Sequence, residues 1–291
     1  MESYLKLKTT LKIMDIIYLM KKELFRRKYS VKTIRSYSFC LSQFLKRCHK
    51  EPRKITKTDV RDYLEYLCKN NKSASTLNLH LQAIKFALEE ILNKRFFVKL
   101  PYSKVPERLP EVLTKEEVLR LFQAIKNPKH RLMIKLMYSA GLRVSELVHL
   151  KVKDFQFDKG HGWVREGKGN KDRLFIIAEK LKNELIGYIE KENLDFNSWI
   201  FKGKSSSHVS VRTIQQIVKH AAKRADIRKK VHPHTLRHTF ATNLIENGCD
   251  VASVQSLLGH GSAATTMIYV HMASPRMISI KSPFDSLVEV D

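Results

Sequence analysis

The chain has 291 residues, of which 43% are hydrophobic, and this composition excludes a disordered polypeptide. The 54 Lys and Arg residues outnumber the 29 Asp and Glu residues, which gives a formal net charge of +25. Such an excess repels itself without an anionic partner, and nucleic acid is the usual partner of a chain this basic. Residues 1–100 carry 23 basic and 9 acidic residues, so the excess is not confined to a tail. A basic surface with no nucleic-acid ligand is the alternative.

The cysteines and the distribution of apolar residues indicate the cellular compartment of the protein. The chain contains four cysteines: Cys40, Cys48, Cys68 and Cys249. They form no C-x-x-C pair, which favours reduced residues of an intracellular protein over a zinc site. The apolar stretch 11–20 is interrupted by Lys12 and Asp15, so neither a membrane span nor a signal peptide is expected. We therefore expect a cytoplasmic protein with no membrane partner.

The first hundred residues show apolar side chains at helical spacing, with Lys and Arg on the opposite faces. Ser30 and Thr56 are predicted N-caps. The predicted helices span residues 13–25, 31–48 and 59–68, followed by a long helix that starts at Ser73 or Ser75 and reaches residue 92. Residues 11–100 therefore predict a basic helical bundle that binds DNA.

A proline-containing linker is predicted at residues 101–111. Prolines at positions 101, 106 and 110 block a regular helix and stiffen the chain. Thr114 and Glu117 then form a capping-box pattern that opens the next helix. We expect a second domain over residues 112–291.

The second domain is predicted to be mostly helical around a small sheet. Alternating apolar residues with intervening turns predict a three-stranded antiparallel sheet from strands 152–157, 162–166 and 173–177. The predicted helices after the sheet cover residues 179–192, 211–226, 235–247, 251–258 and 263–269. The fold class is therefore mainly α, of the α+β type.

The segment 141–147 reads Gly-Leu-Arg-Val-Ser-Glu-Leu. Gly141 is predicted to break the preceding helix, which places Arg143 at the start of the next one. An arginine beside a helix N-terminus favours phosphate binding. Glu146, three residues later, is positioned to hold the first turn or to steady Arg143. The alternative is an ordinary surface ion pair.

The segment 167–173 reads Gly-Lys-Gly-Asn-Lys-Asp-Arg and is predicted to form a hairpin tip. Lys168 at such a tip could reach into a groove and donate a proton to a leaving oxygen. A solvated turn is the alternative. A phosphate-binding loop is disfavoured, because the G-x-x-x-x-G-K pattern ending at Lys168 is followed by Gly169 rather than Ser or Thr.

The segment 232–238 reads His-Pro-His-Thr-Leu-Arg-His. Pro233 fits the first turn of a helix, so His234 and Arg237 are expected on one face. His234 and His238 are four residues apart, which leaves a zinc pair as an alternative, although no third ligand is evident. His238 is predicted to be a structural residue packed under the helix.

The segment 257–271 contains Leu-Leu-Gly-His followed by Tyr-x-His. Gly259 is predicted to end one helix, His260 lies at the gap, and Tyr269 lies on a short helix that follows. A tyrosine in this position, taken alone, is usually an amphipathic surface residue.

Taken together and in this order, these motifs resemble the tyrosine recombinase and integrase family. Their wording is most similar to the Xer recombinases of bacteria and archaea, archaeal Xer included. The resemblance covers nearly the whole chain, including the basic helical domain. It is carried by five motifs and by the spacing of nine positions from His260 to Tyr269.

The resemblance implies a phosphate-binding role for part of the site. Arg143 and Arg237 resemble the two arginines that clamp the scissile phosphate and stabilise its charge. His260 resembles the residue that donates a hydrogen bond to a phosphate oxygen. Glu146 matches the acidic position that supports the first arginine.

The resemblance also implies a covalent mechanism. Tyr269 resembles the nucleophile that forms a 3′-phosphotyrosine and leaves a free 5′-hydroxyl, which conserves the energy of the broken strand. Lys168 resembles the general acid for the leaving oxygen, and His234 resembles the acid/base partner of the nucleophile. We expect no metal ion and no cofactor, because the cationic side chains can supply the electrostatic stabilisation.

The expected partners follow from the same resemblance. They are double-stranded DNA with a specific recombination site, three further copies of the chain in a homo-tetramer, and an ATP-driven DNA translocase. Residues 272–291 are expected to dock on a neighbouring protomer. Xer-type resolution of chromosome dimers is the predicted function. The alternatives are a mobile-element integrase, a relaxing topoisomerase with the same residues, and an architectural DNA-binding protein without activity.

Overall fold

The structure, a computed structural model, describes residues 13–94, 102–104, 109–165, 172–203, 207–259 and 263–272. The chain divides into two compact units between Glu107 and Arg108, a point inside the predicted linker 101–111. The exact bounds predicted for the two domains, residues 11–100 and 112–291, stay a prediction.

The first unit is helical, as its apolar periodicity predicts. Its α-helices are α1 (Ile13–Arg26), α2 (Val31–Cys48), α3 (Lys57–Lys69) and α4 (Ala74–Lys85). Their inward faces meet in a core that includes Leu41, Phe44, Leu81 and Leu88. Burial of each of these apolar side chains contributes about 1 kcal/mol or more to the free energy of folding.

Side-chain caps fix where these helices begin. The Ser30 hydroxyl accepts a hydrogen bond from the Thr33 amide, and Ser73, rather than Ser75, caps α4. Thr56 and Asp59 form a reciprocal capping box, so α3 begins directly after the predicted cap, with Lys57 and Thr58 in its first turn as expected.

The last part of the predicted long helix differs from expectation. After α4 the chain continues as a π-helical segment, Phe86–Ile91, in which the Leu92 amide donates to the Ala87 carbonyl over 3.2 Å. An α turn and a π turn can bury the same apolar residues, so hydrophobic spacing does not distinguish them.

The second unit combines helices with one small sheet. Its first helices are α5 (Lys115–Gln123), α6 (Pro128–Ser139) and α7 (Val144–Val148); its strands are β1 (Phe155–Gln156), β2 (His161–Val164) and β3 (Arg173–Ile176). The helices after the sheet are α8 (Glu179–Lys191), α9 (Val211–Arg224), α10 (Pro233–Glu246), α11 (Val251–Leu258) and α12 (Ala263–Met272). Within the described residues, the mainly helical fold with a three-stranded antiparallel sheet in the order β1-β2-β3 is confirmed.

The first strand is shorter than its alternation predicts. Val152–Asp154 forms a 3-10 turn, and the Asp154 carboxylate accepts a hydrogen bond from the Lys151 amide over 2.8 Å. Because this side chain satisfies the backbone locally, β1 starts only at Phe155. The β2–β3 register places Val164 opposite Arg173.

Two apolar clusters hold the second unit. The larger one joins α5, α6, α8 and α9 with the sheet, and includes Leu121, Met137, Phe175 and Val218. A smaller cluster consists of Phe240, Ala241, Val254, Leu258 and Tyr269. It packs α10, α11 and α12 together, and these helices carry the predicted site residues His234, Arg237 and Tyr269. Over the described part of the chain, no helix is both long and apolar enough to cross a membrane.

A buried polar pair crosses the core of the first unit. The Tyr63 hydroxyl lies 3.1 Å from Nδ1 of His80, and both side chains are buried. Burial lowers the pKa of His80, so the neutral imidazole is the folded form. Because the unfolded chain binds this proton at a higher pH, the contribution to stability is present above the ordinary histidine pKa and declines as the pH falls below it.

We predict that the native chain loses more stability between pH 8 and pH 5 than His80→Gln does. Glutamine does not titrate, and its own cost of about 1 kcal/mol for an altered hydrogen bond should not depend on pH. Thermal unfolding of both chains across this pH range measures the difference. The exposed residue His220 provides the matched control, because His220→Gln should keep the native pH dependence. Equal pH dependence of the native chain and His80→Gln would contradict the prediction.

Candidate active site

A tight turn brings Arg143 to the start of α7. Gly141 adopts a φ of +57°, and a Cβ built there would lie 2.4 Å from the Phe240 ring, so this position requires glycine. Arg143 is the N-cap of α7, as predicted. Its backbone amide donates to Glu146 Oε2 over 2.8 Å, and its Nη1 donates to Glu146 Oε1 over 2.6 Å. Glu146 therefore performs both of its predicted roles, holding the first turn and steadying Arg143.

A second arginine contacts the same carboxylate. Arg173 begins β3 with its side chain 5% exposed, and its Nη2 donates to Glu146 Oε2 over 2.6 Å. The sequence motifs do not predict Arg173 as a site residue. Its position on the inward face of a strand is the feature that indicates a role, because a charged side chain there requires a buried partner.

The third arginine lies on α10. Arg237 is 3% exposed, and its Nη1 donates to the Gly141 carbonyl over 2.6 Å. The same nitrogen lies 3.8 Å from Glu146 Oε2. Arg237 thus lies within ion-pair distance of the carboxylate that binds the other two arginines.

All three guanidinium groups also bind the C-terminal end of α11, where Gly259 reverses the chain with a φ of +60°. Successive carbonyls each accept from a different arginine: Leu257 from Arg173, Leu258 from Arg237, and Gly259 from Arg143 over 3.3 Å. The end of a helix carries unsatisfied carbonyls and partial negative charge, so guanidinium groups are its natural caps. We call Glu146, Arg143, Arg173, Arg237 and these carbonyls the arginine cluster.

The arginine cluster keeps a positive charge although it is buried. Burial would raise the pKa of Glu146, but hydrogen bonds from Arg173 and Arg143 lower it to about 2. Burial, followed by repulsion from Arg143, lowers the pKa of Arg237 to about 9. At neutral pH the three guanidinium groups and the single carboxylate are therefore all charged, and cations exceed anions by two.

Tyr269 lies beside the arginine cluster on α12. The side chain is 2% exposed and packs in the smaller apolar cluster with Phe240 and Leu258. Its hydroxyl oxygen lies 3.1 Å from Nδ1 of His238, which lies on α10. Burial raises the pKa of Tyr269, while the charges of Arg237 and Arg143 act in the opposite direction. The phenol is therefore protonated in this arrangement.

Two histidines lie one turn apart on α10. His234 is exposed, and its ring centroid lies 6.3 Å from that of the half-buried His238. Desolvation, followed by the charge of His232, lowers the pKa of His234. Desolvation, followed by the charge of His234, lowers the pKa of His238 to about 4. His238 is half-buried and contacts Tyr269, a contact that sequence spacing does not indicate.

The structure brings five predicted site residues into one region: Arg143, Glu146, His234, Arg237 and Tyr269. Lys168 and His260 lie outside the described residues. Among the residues that the structure does describe, no three His, Cys, Asp or Glu side chains are grouped as metal ligands. The catalytic roles of the predicted residues stay predictions, and Arg173 and His238 are the additions made by the structure.

Comparison with protein families assigns both parts of the chain. Residues 111–276 match the phage integrase family, and residues 16–96 match the phage integrase N-terminal SAM-like domain. The second match includes α2, α3, α4 and all of α1 except its first three residues. The first match includes every residue of the arginine cluster and Tyr269.

Individual relatives agree with the family match. Tyrosine recombinase XerA of Pyrococcus furiosus is 38% identical over 254 residues, which cover 85% of this chain and 86% of that protein. A putative integrase/recombinase of Sinorhizobium fredii is 33% identical over 265 residues, which cover 90% and 85%.

Solved structures agree as well. The crystal structure of XerA recombinase shares 32% identity with a TM-score of 0.54, over 92% of this chain and 97% of that one. The XerH site-specific recombinase bound to palindromic difH substrate has a TM-score of 0.73 at 23% identity, over 94% of this chain and 85% of that one, and it supports the fold alone. The chain therefore belongs to the phage integrase family, is a homologue of the Xer-type tyrosine recombinases, and is an enzyme of the class that cleaves and rejoins DNA.

Proposed function

We propose that this chain is an Xer-type site-specific recombinase that resolves chromosome dimers through a 3′-phosphotyrosyl intermediate. The observation that carries the proposal is the arginine cluster beside a buried tyrosine. The Xer-type specialisation is supported by the tyrosine recombinases XerA of Pyrococcus species, which match most of the chain.

Phosphate binding is the proposed task of Arg143 and Arg237. Planar guanidinium forks match pairs of phosphate oxygens, and the excess of two positive charges in the arginine cluster favours the charge that develops during phosphoryl transfer. Arg143, with 17% of its side chain exposed, is the more accessible of the two. Removing one such donor typically costs about 3–4 kcal/mol of transition-state stabilisation, or roughly 10²–10³ in rate.

Tyr269 is the proposed nucleophile. Its phenolic oxygen attacks the scissile phosphorus, the bond to the 5′-oxygen breaks, and the 3′-phosphate remains attached to the enzyme. Attack by a 5′-hydroxyl reverses these bond changes and releases Tyr269, so strand energy is conserved and no ATP is consumed in the chemistry. This is the strand chemistry of a type IB topoisomerase.

Proton transfer completes the proposed mechanism. Lys168 protonates the leaving 5′-oxygen, and His234 exchanges the proton of the nucleophile. The lowered pKa of His234 keeps its imidazole neutral, which is the form that accepts a proton, while it also makes the imidazole a weaker base. His260 is proposed to donate a hydrogen bond to a phosphate oxygen.

The proposed substrate is double-stranded DNA with a specific recombination site. Relatives of this fold are described as bound to a difH substrate and to a core site. The net charge of +25 supports a polyanionic partner. We further propose that a homo-tetramer assembles on two duplexes, and that an ATP-driven DNA translocase regulates exchange.

A mobile-element integrase is the second candidate. It is favoured by relatives described as integrase/recombinase in Escherichia coli and Pseudomonas aeruginosa, each 32% identical over 89% of this chain. The two candidates share the chemistry and differ in the DNA site.

We predict that nicked suicide DNA carrying the target site forms a covalent adduct with the native chain in EDTA, and none with Tyr269→Phe. The substitution removes only the attacking oxygen, so DNA binding in a gel-shift assay should persist. Tyr188→Phe removes the same oxygen from another tyrosine of the second unit and should leave the adduct unchanged. An adduct with Tyr269→Phe would refute the assignment of the nucleophile.

We predict that Glu146→Gln destabilises the second unit by about 3–5 kcal/mol, because it leaves buried guanidinium charges uncompensated. Adduct formation should fall with it. The native contribution is present above the ordinary glutamate pKa of 4.5 and is lost as the pH falls towards about 2, so native stability should fall more steeply with acid than that of Glu146→Gln. Denaturant unfolding measures both effects.

Glu184→Gln is the matched control for this prediction. Glu184 pairs with Lys135 over 2.7 Å at the surface, and losing an exposed pair costs less than about 1 kcal/mol. Equal effects of the two substitutions would contradict the central role of Glu146.

We predict that sequencing DNA covalently trapped by the chain in its own cells yields one chromosomal site. Xer-type resolution requires a single locus per chromosome, and a strain lacking the chain should accumulate chromosome dimers. Recovery of element ends and scattered insertion sites, with monomeric chromosomes in the deletion strain, would instead support the integrase candidate.

A further inference from the structure

The hydroxyl group of Tyr269 is engaged inside the protein. Its oxygen lies 3.1 Å from Nδ1 of His238, and the two ring centroids are 5.7 Å apart. The tyrosine is only 2% exposed, so almost none of its surface is open to a DNA phosphate in this arrangement. Attack on DNA therefore requires that Tyr269 leave this contact.

In the tautomer with the proton on Nε2, Nδ1 of His238 accepts this hydrogen bond from the phenol. A neutral imidazole carries one nitrogen that accepts, and a protonated phenol donates. With a pKa of about 4, His238 is neutral at physiological pH. With its pKa lowered, His238 is a weaker base than an ordinary histidine, which favours it as a hydrogen-bond acceptor over a base for the phenol. A hydrogen bond to the neutral phenol instead disfavours its ionisation.

We propose that His238 is a positioning residue that restrains Tyr269 in the resting enzyme, with Nδ1 accepting a hydrogen bond from the phenol and keeping it buried and protonated until DNA binds. The inference rests on the proposed role of Tyr269 as the nucleophile. His238 follows Arg237 directly in α10, and the Arg237 side chain binds the carbonyls of Gly141 and Leu258. A phosphate that draws Arg237 from these carbonyls shifts the same helical turn that holds His238, which couples substrate binding to release of the nucleophile.

Two substitutions separate the hydrogen bond from the volume of the ring. In His238→Asn the amide oxygen takes the place of Nδ1, at the same number of bonds from the backbone, and so keeps the acceptor. In His238→Phe a ring of similar size remains and the acceptor is lost. The readout is nitration of Tyr269 by tetranitromethane without DNA, measured by peptide mass spectrometry, because this reagent reacts with accessible phenolate.

We predict that His238→Phe raises the nitration rate of Tyr269 roughly fivefold, the factor expected from losing one neutral hydrogen bond, and that His238→Asn stays near the native rate. Tyr138 is the internal control. The Tyr138 hydroxyl accepts a hydrogen bond over 2.9 Å from Asn243, which lies on α10 with His238. A general loosening of α10 would therefore raise the nitration of Tyr138 too. A rise at Tyr138 equal to that at Tyr269, or no rise at Tyr269, overturns the proposal.

Cleavage of suicide DNA supplies a second arm. If His238 restrains the nucleophile, His238→Phe forms the covalent adduct faster than His238→Asn. Loss of cleavage in His238→Phe with cleavage retained in His238→Asn would show that the hydrogen bond serves the attack itself, and the restraint would be wrong. Absence of an adduct with the native chain would refute the proposed function, while the nitration arm, which uses no DNA, would still decide the restraint.

Discussion

One buried carboxylate organises the catalytic unit. Glu146 accepts hydrogen bonds from Arg143 and Arg173 and lies within ion-pair distance of Arg237. These arginines come from a helix N-terminus, a strand and a second helix, so a single side chain fixes three separate elements. Removing a charge from such a group leaves its buried partners uncompensated, which is far more damaging than losing a surface pair. The position of every other group in the site depends on this arrangement.

The end of α11 extends the constraint to the tyrosine. Because the carbonyls of residues 257–259 bind the arginines, the turn at Gly259 is held beside them. A Cβ at Gly259 would lie 2.7 Å from the Arg173 side chain, so the approach depends on glycine at this position. From this turn the chain proceeds to α12, whose Tyr269 packs against Phe240 and Leu258. The apolar contacts of α12 with α10 and α11 thus hold the tyrosine close enough to Arg237 and Arg143 for their charges to act on its pKa.

The sequence predicted what depends on neighbouring residues. Helix starts at Ser30 and Thr114 were correct because a cap joins residues three apart, and the contact of Arg143 with Glu146 has the same spacing. The contacts of Arg173 with Glu146 and of His238 with Tyr269 span 27 and 31 residues, and no local pattern encodes them. The strand predicted from residue 152 failed for a local reason, because the carboxylate of Asp154 competes for a backbone amide. Family motifs located the site, and only the fold showed which side chains meet there.

The choice of partners explains how the arginine cluster can be both buried and ready for an anion. If each guanidinium group were paired with its own carboxylate, the cluster would be neutral and would attract a phosphate weakly. Backbone carbonyls satisfy guanidinium hydrogen bonds as dipoles without cancelling their charge. Glu146 supplies one negative charge, enough to hold three arginines together, while the helix end satisfies the remaining donors. Two effects act on the pKa of Tyr269 in opposite directions. The positive charges of Arg237 and Arg143 lower it, and burial, the larger effect, raises it. A site built this way keeps its positive charge and holds the phenol of Tyr269 in its protonated form, and both properties come from the same low-dielectric surroundings.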